Sequence, residues 1–103
     1  MTPWKGTLMP TKRREPSNAE TPWGNATFVD HFGDGIDFYQ TERGGGFNVS
    51  HGLNGRVPVY IRNAAGWYES ERDWAVVAAV FPDRFTGREM GAAYKTLRDW
   101  RPG

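Results

Sequence analysis

The C-terminal half of this chain sets the tightest limit on what it can fold into. Trp67, Tyr68, Trp74, Phe81, Phe85, Tyr94 and Trp100 fall at spacings that suit two short amphipathic helices. Each helix has its own start signal. Ser70-Glu71-Arg72-Asp73 resembles a capping box, in which a hydroxyl and a carboxylate three residues apart satisfy free N–H groups of the first turn. Trp74, Val77, Ala78 and Phe81 follow at i, i+3, i+4 and i+7, forming one apolar stripe that Pro82 ends. Thr86-Gly87-Arg88-Glu89 is a capping box in full, and Met90, Ala93, Tyr94 and Leu97 make the second stripe before Pro102. Val57–Ala64, with Pro58 in its first turn and Gly66 past its end, reads as a shorter helix.

Upstream, the apolar period changes from 3.6 to 2. In Thr27–Phe32, Phe28 and Phe32 share a face with Asp30 between them, while Val29 lies on the other. In Ile36–Thr41, Ile36 and Phe38 oppose Asp37 and Tyr39; in Phe47–Ser50, Phe47 and Val49 share a face. Gly33-Asp34-Gly35 and Gly44-Gly45-Gly46 supply the turns. The expected fold is therefore α+β: a short antiparallel three-stranded meander followed by two or three short helices packed on one face. Its expected core is Phe28, Phe38, Val49, Trp74, Val77, Phe81, Tyr94 and Leu97. Residues 1–20 hold Pro3, Pro10 and Pro16 among polar and basic residues and show neither period. They read as a flexible basic arm, and residues 21–103 as a single compact domain entered through Thr21-Pro22-Trp23-Gly24.

Size and composition narrow the function classes. A chain of 103 residues supports one small core, and 15% aromatic content compensates for an apolar fraction of 38%. With no cysteine there is neither a disulfide nor a thiolate metal site, which favours a reducing, cytoplasmic setting. No apolar run approaches a membrane span or a signal peptide. Net charge is +1, but residues 26–55 carry −3 while the flanking parts carry +2 each. A near-neutral total argues against strong non-specific binding to duplex nucleic acid.

The run Thr21-Pro22-Trp23-Gly24, Gly35-Ile36 with Phe38-Tyr39, Gly45-Gly46-Phe47, Trp67-Tyr68-Glu69 with Trp74-Ala75, and Phe81-Pro82 with Phe85 resembles a family of small uncharacterised domains. These occur in proteobacteria, often on plasmids, phages and other mobile elements. The resemblance spans residues 21–101 and implies a genetic context, that of a phage or plasmid accessory protein, without an activity. Similar sequences tend to carry a Ser-His pair before the double glycine. This chain has Glu42-Arg43-Gly44 there.

No residue pattern points to catalysis, a cofactor or a metal. His31 and His51 lack ligand spacing and read as structural or surface residues. Ser17, Ser50 and Ser70 sit in no nucleophile motif, and Gly44-Gly45-Gly46 reads as a hairpin turn, not a phosphate cradle. No small-molecule substrate and no membrane are expected. Asp30, Asp34, Asp37 and Glu42, with Tyr39 among them, form an acidic cluster suited to meeting a basic protein surface. Lys12, Arg13 and Arg14 could contact phosphates, and Tyr39, Tyr60, Tyr68 and Trp100 could stack on bases. The leading expectation is a non-enzymatic accessory protein that binds a host protein, of the kind that inhibits a bacterial defence system (anti-CRISPR or anti-restriction type). The alternative is a nucleic-acid-binding accessory protein in which the basic arm and the Arg-rich C-terminal part (Arg84, Arg88, Lys95, Arg98 and Arg101) hold phosphates and exposed aromatics stack on bases.

Overall fold

The computed structural model describes residues 13–99, which build a main sheet of five strands where the sequence suggested three. The strands are β1 (Arg13–Pro16), β2 (Glu20–Thr21), β3 (Gly24–Asn25), β4 (Phe28–His31), β5 (Ile36–Gln40), β6 (Gly46–Val49) and β7 (Trp67–Glu69). The main sheet runs β1-β4-β5-β6-β7 with antiparallel neighbours throughout, and β2 pairs with β3 in a separate ribbon. The expected meander is its centre. The two added strands are its edges: β1 lies within the stretch read as an arm, and β7 within the part read as helical.

Cross-strand register sorts the side chains onto two faces. Asp30, Phe38, Phe47 and Tyr68 are successive partners across β4–β7, and Ile36 faces Val49 on the same side. All but Asp30 belong to the main core cluster. Helices α1 (His51–Asn54), α2 (Trp74–Val80) and α3 (Gly87–Asp99), with short 3₁₀ turns at Val59–Ile61 and Pro82–Arg84, pack toward this cluster. Their contributions include Trp74, Ala75, Val76, Val77, Ala78 and Ala93, all buried. The layer arrangement is a sheet covered on one face by helices.

Several local expectations need correcting. Val57–Ala64 is not a helix: Pro58 precedes a single 3₁₀ turn, and the helical turn of this region is α1, just upstream. Ser50 provides the α1 N-cap. Ser70 does not cap α2. Asp73 stands at the α2 N-cap without a side-chain cap bond, and Glu69 holds the turn before it, accepting from the N–H groups of Glu71, Arg72 and Asp73 at 2.7, 2.6 and 3.0 Å. A carboxylate with two oxygens satisfies three donors where one hydroxyl would serve fewer. The Thr86 box forms as expected: Glu89 Oε1 accepts from Thr86 N–H at 2.8 Å and Thr86 Oγ1 from Glu89 N–H at 3.1 Å.

In the core list, Phe38, Val49, Trp74, Val77 and Phe81 are buried and Leu97 packs against them. Phe28 and Tyr94 are exposed instead. Phe28 has core parity but sits toward the β1 edge, where the Arg14 guanidinium lies 5.3 Å above its ring. Tyr94 lies one residue, or about 100°, around α3 from the buried Ala93.

Tyr68 ties the connection between β6 and β7 to the core. Its hydroxyl donates to Asn54 Oδ1 and accepts from Asn63 N–H. Asn54 Nδ2 donates to Asn63 O, and Asn63 Nδ2 to Trp67 O and Asp73 Oδ2. Gly66, at φ +80°, lets the chain run against β6, since a Cβ there would come within 2.4 Å of Val49 O.

Candidate functional site

The opposite face of the sheet carries no helix among the described residues. Arg13, His31, Asp37, Asn48 and Trp67 are successive cross-strand partners on it; Glu15, Val29, Tyr39, Gly46 and Glu69 make the next row. The β2–β3 ribbon folds one residue onto this face. Pro22 and Trp23 form its two-residue turn, Gly24 (φ +111°) opens β3, and Trp23 lies over Gly46. A Cβ on Gly46 would collide with Tyr68 O of β7 and come within 2.6 Å of the Trp23 indole, so the glycine makes room both for the neighbouring strand and for the ring.

The result is an aromatic array beside a charged cluster. Trp67 meets Trp23 edge-on at 5.7 Å between centroids and Tyr39 at 5.6 Å. All three rings are half-buried. At such distances the rings fill one another's gaps, leaving no cage for a ligand between them but an apolar surface toward solvent. Burial and the charge of Asp37 raise the Tyr39 phenol above its ordinary range.

His31 is the centre of the charged part. Its Nε2 lies 2.9 Å from Glu15 Oε2 and its Nδ1 2.7 Å from Asp37 Oδ1, so the protonated ring donates to both carboxylates. The hydrogen bonds to Glu15 and then to Asp37 raise the imidazole above its ordinary 6.5, and the bond to His31 lowers Glu15 below its ordinary 4.5. With each ring nitrogen facing a carboxylate, neither is turned toward a substrate as a base. Beside this group an open depression of about 420 Å³ is lined by Arg13, His31, Gly33, Asp34, Gly35 and Asp37. The Arg84 guanidinium braces the turn that bounds it, donating to Phe32 O and Asp34 O at 3.1 and 3.0 Å.

The acidic residues singled out in the sequence do not form one patch. Asp30 is 1% exposed, lies on the helix side of the sheet, and accepts a two-pronged bond from Arg14 at 2.7 and 3.0 Å. Glu42 is exposed in the turn after β5, at the opposite end of that strand from Asp34. Asp37 and Tyr39 share the helix-free side of β5, and Asp34, in the turn before it, lines the depression with Asp37 but is not beside Tyr39. Of the basic group, Arg14 is committed to Asp30, Arg13 is exposed and pairs with Glu15 at 3.3 Å, and Lys12 lies outside the described residues. Trp100, one of the possible stacking residues, and Arg101 lie outside them too; Tyr68 is fully buried.

The sequence reading missed the Glu15–His31–Asp37 group and the Trp23–Trp67–Tyr39 array. The first was partly legible. A tight turn at Gly33-Asp34-Gly35 brings β4 and β5 together as a hairpin and puts His31 opposite Asp37. The same parity argument placed Asp30 with Phe28 and Phe32, which marks it as a core-side carboxylate.

A family model described as a domain of unknown function, DUF7007, matches residues 16–103. The chain belongs to that family. The match begins at Pro16, the last residue of β1, and includes Asp30, His31 and Asp37 with the whole aromatic array. No curated protein and no solved structure matches the chain. No helix among the described residues is long and apolar enough to cross a membrane.

Proposed function

We propose that this domain is a non-enzymatic binding module that docks its helix-free sheet face on a host protein. The observation that carries the reading is the Trp23–Trp67–Tyr39 array: three packed, half-exposed rings on a rigid sheet, bordered by Asp37, with Asp34 lining the depression on the far side of it. Aromatic anchors that are already ordered lose little freedom on binding, and interfaces concentrate their energy in such residues. The carboxylates at the border favour a partner with a basic surface and speed the encounter. Support for a non-enzymatic role comes from His31, both of whose nitrogens are engaged by carboxylates. The resemblance to mobile-element domains supports a phage or plasmid accessory protein that blocks a defence system of its host, acting in the cytoplasm.

The test pairs affinity capture from host lysate with phage plaquing against defence systems. The wild-type chain is expected to hold a discrete partner and to rescue phage. Tyr39→Ala combined with Asp34→Lys is expected to lose both while keeping its melting temperature within a few degrees. A partner held equally by the double variant, or no effect on any defence system, would overturn the proposal.

A further inference from the structure

Charge on the helical side is arranged differently, and it points to a second partner class. In α3, Gly87, Arg88, Gly91, Tyr94, Lys95, Arg98 and Asp99 are exposed, while Glu89 and Ala93 are buried. At 100° per residue, Arg88, Lys95 and Arg98 fall within an arc of about 80°, and at 1.5 Å per residue they span about 15 Å. Among the described residues neither Arg88 nor Lys95 is ion-paired, and Arg98 meets Asp99 at 3.6 Å with both side chains largely in water. Gly91 sits inside the arc, where a Cβ would touch nothing. No packing reason demands glycine there, and a bare backbone lets a large partner approach closely. Tyr94, 58% exposed, borders the arc.

We propose that the outer surface of α3 binds the phosphate backbone of nucleic acid through Arg88, Lys95 and Arg98. This goes beyond the protein-binding reading and uses the other side of the molecule, so either holds if the other fails. Of the two basic regions expected to hold phosphates, it selects the C-terminal helix, because Arg14 is spent on Asp30 and Arg84 on the turn after β4. Three cations without base-reading side chains imply sequence-independent binding through counterion release.

The experiment is fluorescence anisotropy with a labelled DNA duplex of about 20 base pairs and the full-length chain. Neutralising three phosphates predicts a slope of log K against log[salt] of about −2.7, so affinity falls about fortyfold between 50 and 200 mM salt. The exposed triple variant Arg88→Ala, Lys95→Ala, Arg98→Ala is expected to abolish binding at 50 mM salt with its far-UV circular dichroism unchanged. Arg88→Lys with Arg98→Lys is expected to retain it, and Arg13→Ala to leave it unaltered. Absence of binding at 50 mM salt, or binding that survives the triple variant, would overturn the proposal. So would binding that Arg13→Ala removes, which would return the site to the N-terminal strand.

Discussion

β1 and β7 close the two edges of one sheet by different physics. β7 is held by burial: Tyr68 is fully enclosed between Phe47 and the helices, and its hydroxyl is satisfied by Asn54 and Asn63. All four residues of β1 are exposed. Beyond its backbone ladder, β1 is held by Arg14 on Asp30 on one side of the sheet and by Glu15 on His31 on the other. An edge fixed by apolar burial responds little to salt or pH, whereas an edge fixed by ion pairs follows both. The domain thus has one permanent edge and one conditional edge, and the conditional one borders the helix-free face.

The largest effect is expected at the permanent edge. Tyr68→Ala should destabilise the fold by about 4 kcal/mol in urea unfolding, as for other fully buried aromatics. Tyr68→Phe keeps the ring but leaves Asn54 Oδ1 buried without its donor, and should cost about 1–3 kcal/mol. Equal losses in the two variants would show that the polar network, not the ring, secures β7.

Asp30→Asn comes next. Arg14 is 44% exposed and can return to water, so the loss is held to about 1–2 kcal/mol. Amide exchange should quicken in residues 13–15 while residues 46–49 keep their protection. A uniform increase across both would mean that β1 is not a separate unit.

The third prediction concerns pH. The raised His31 contributes stability that is fully present below 6.5 and is lost as pH rises through its higher folded value. The lowered Glu15 contributes stability present above 4.5 that is lost as pH falls through its lower folded value. Protection of β1 should therefore be greatest between about pH 4.5 and 6.5 and decline on both sides, and His31→Gln should flatten the profile. A flat profile in the wild type would remove the imidazolium from this role.

The smallest effect is expected for Arg13→Ala. Its pair with Glu15 is exposed, and stability should change by no more than about 0.5 kcal/mol in urea. A larger loss would mean that the outer row of β1 is more tightly coupled than its exposure implies.

Elements fixed by neighbours in the chain were legible without coordinates. Gly33-Asp34-Gly35 and the alternation around it delivered β4 and β5, and Thr86 with Glu89 marked the start of α3. Elements that exist only against a distant partner were not. Arg13–Pro16 has no apolar alternation and becomes a strand because β4, fifteen residues away, offers it a backbone ladder and two counter-charges. Trp67-Tyr68-Glu69 suits a strand or a helix by pattern, and β6 settles the choice by pairing with it. The candidate site divides the same way. Asp37 and Tyr39 were placed together by their spacing on one strand. The union of Trp23 with Trp67 needed Gly46 from a third strand as its socket.

By itself, the sequence determined the class of fold, the central hairpins and the start of the long helix, because turn geometry, period and capping act over a few residues. The tertiary structure decided which carboxylate is buried and which faces water, which strands close the sheet, and that three separated aromatic rings form one surface. Those outcomes depend on cross-strand register and on the electrostatic environment each group meets, and both arise only when distant segments pack.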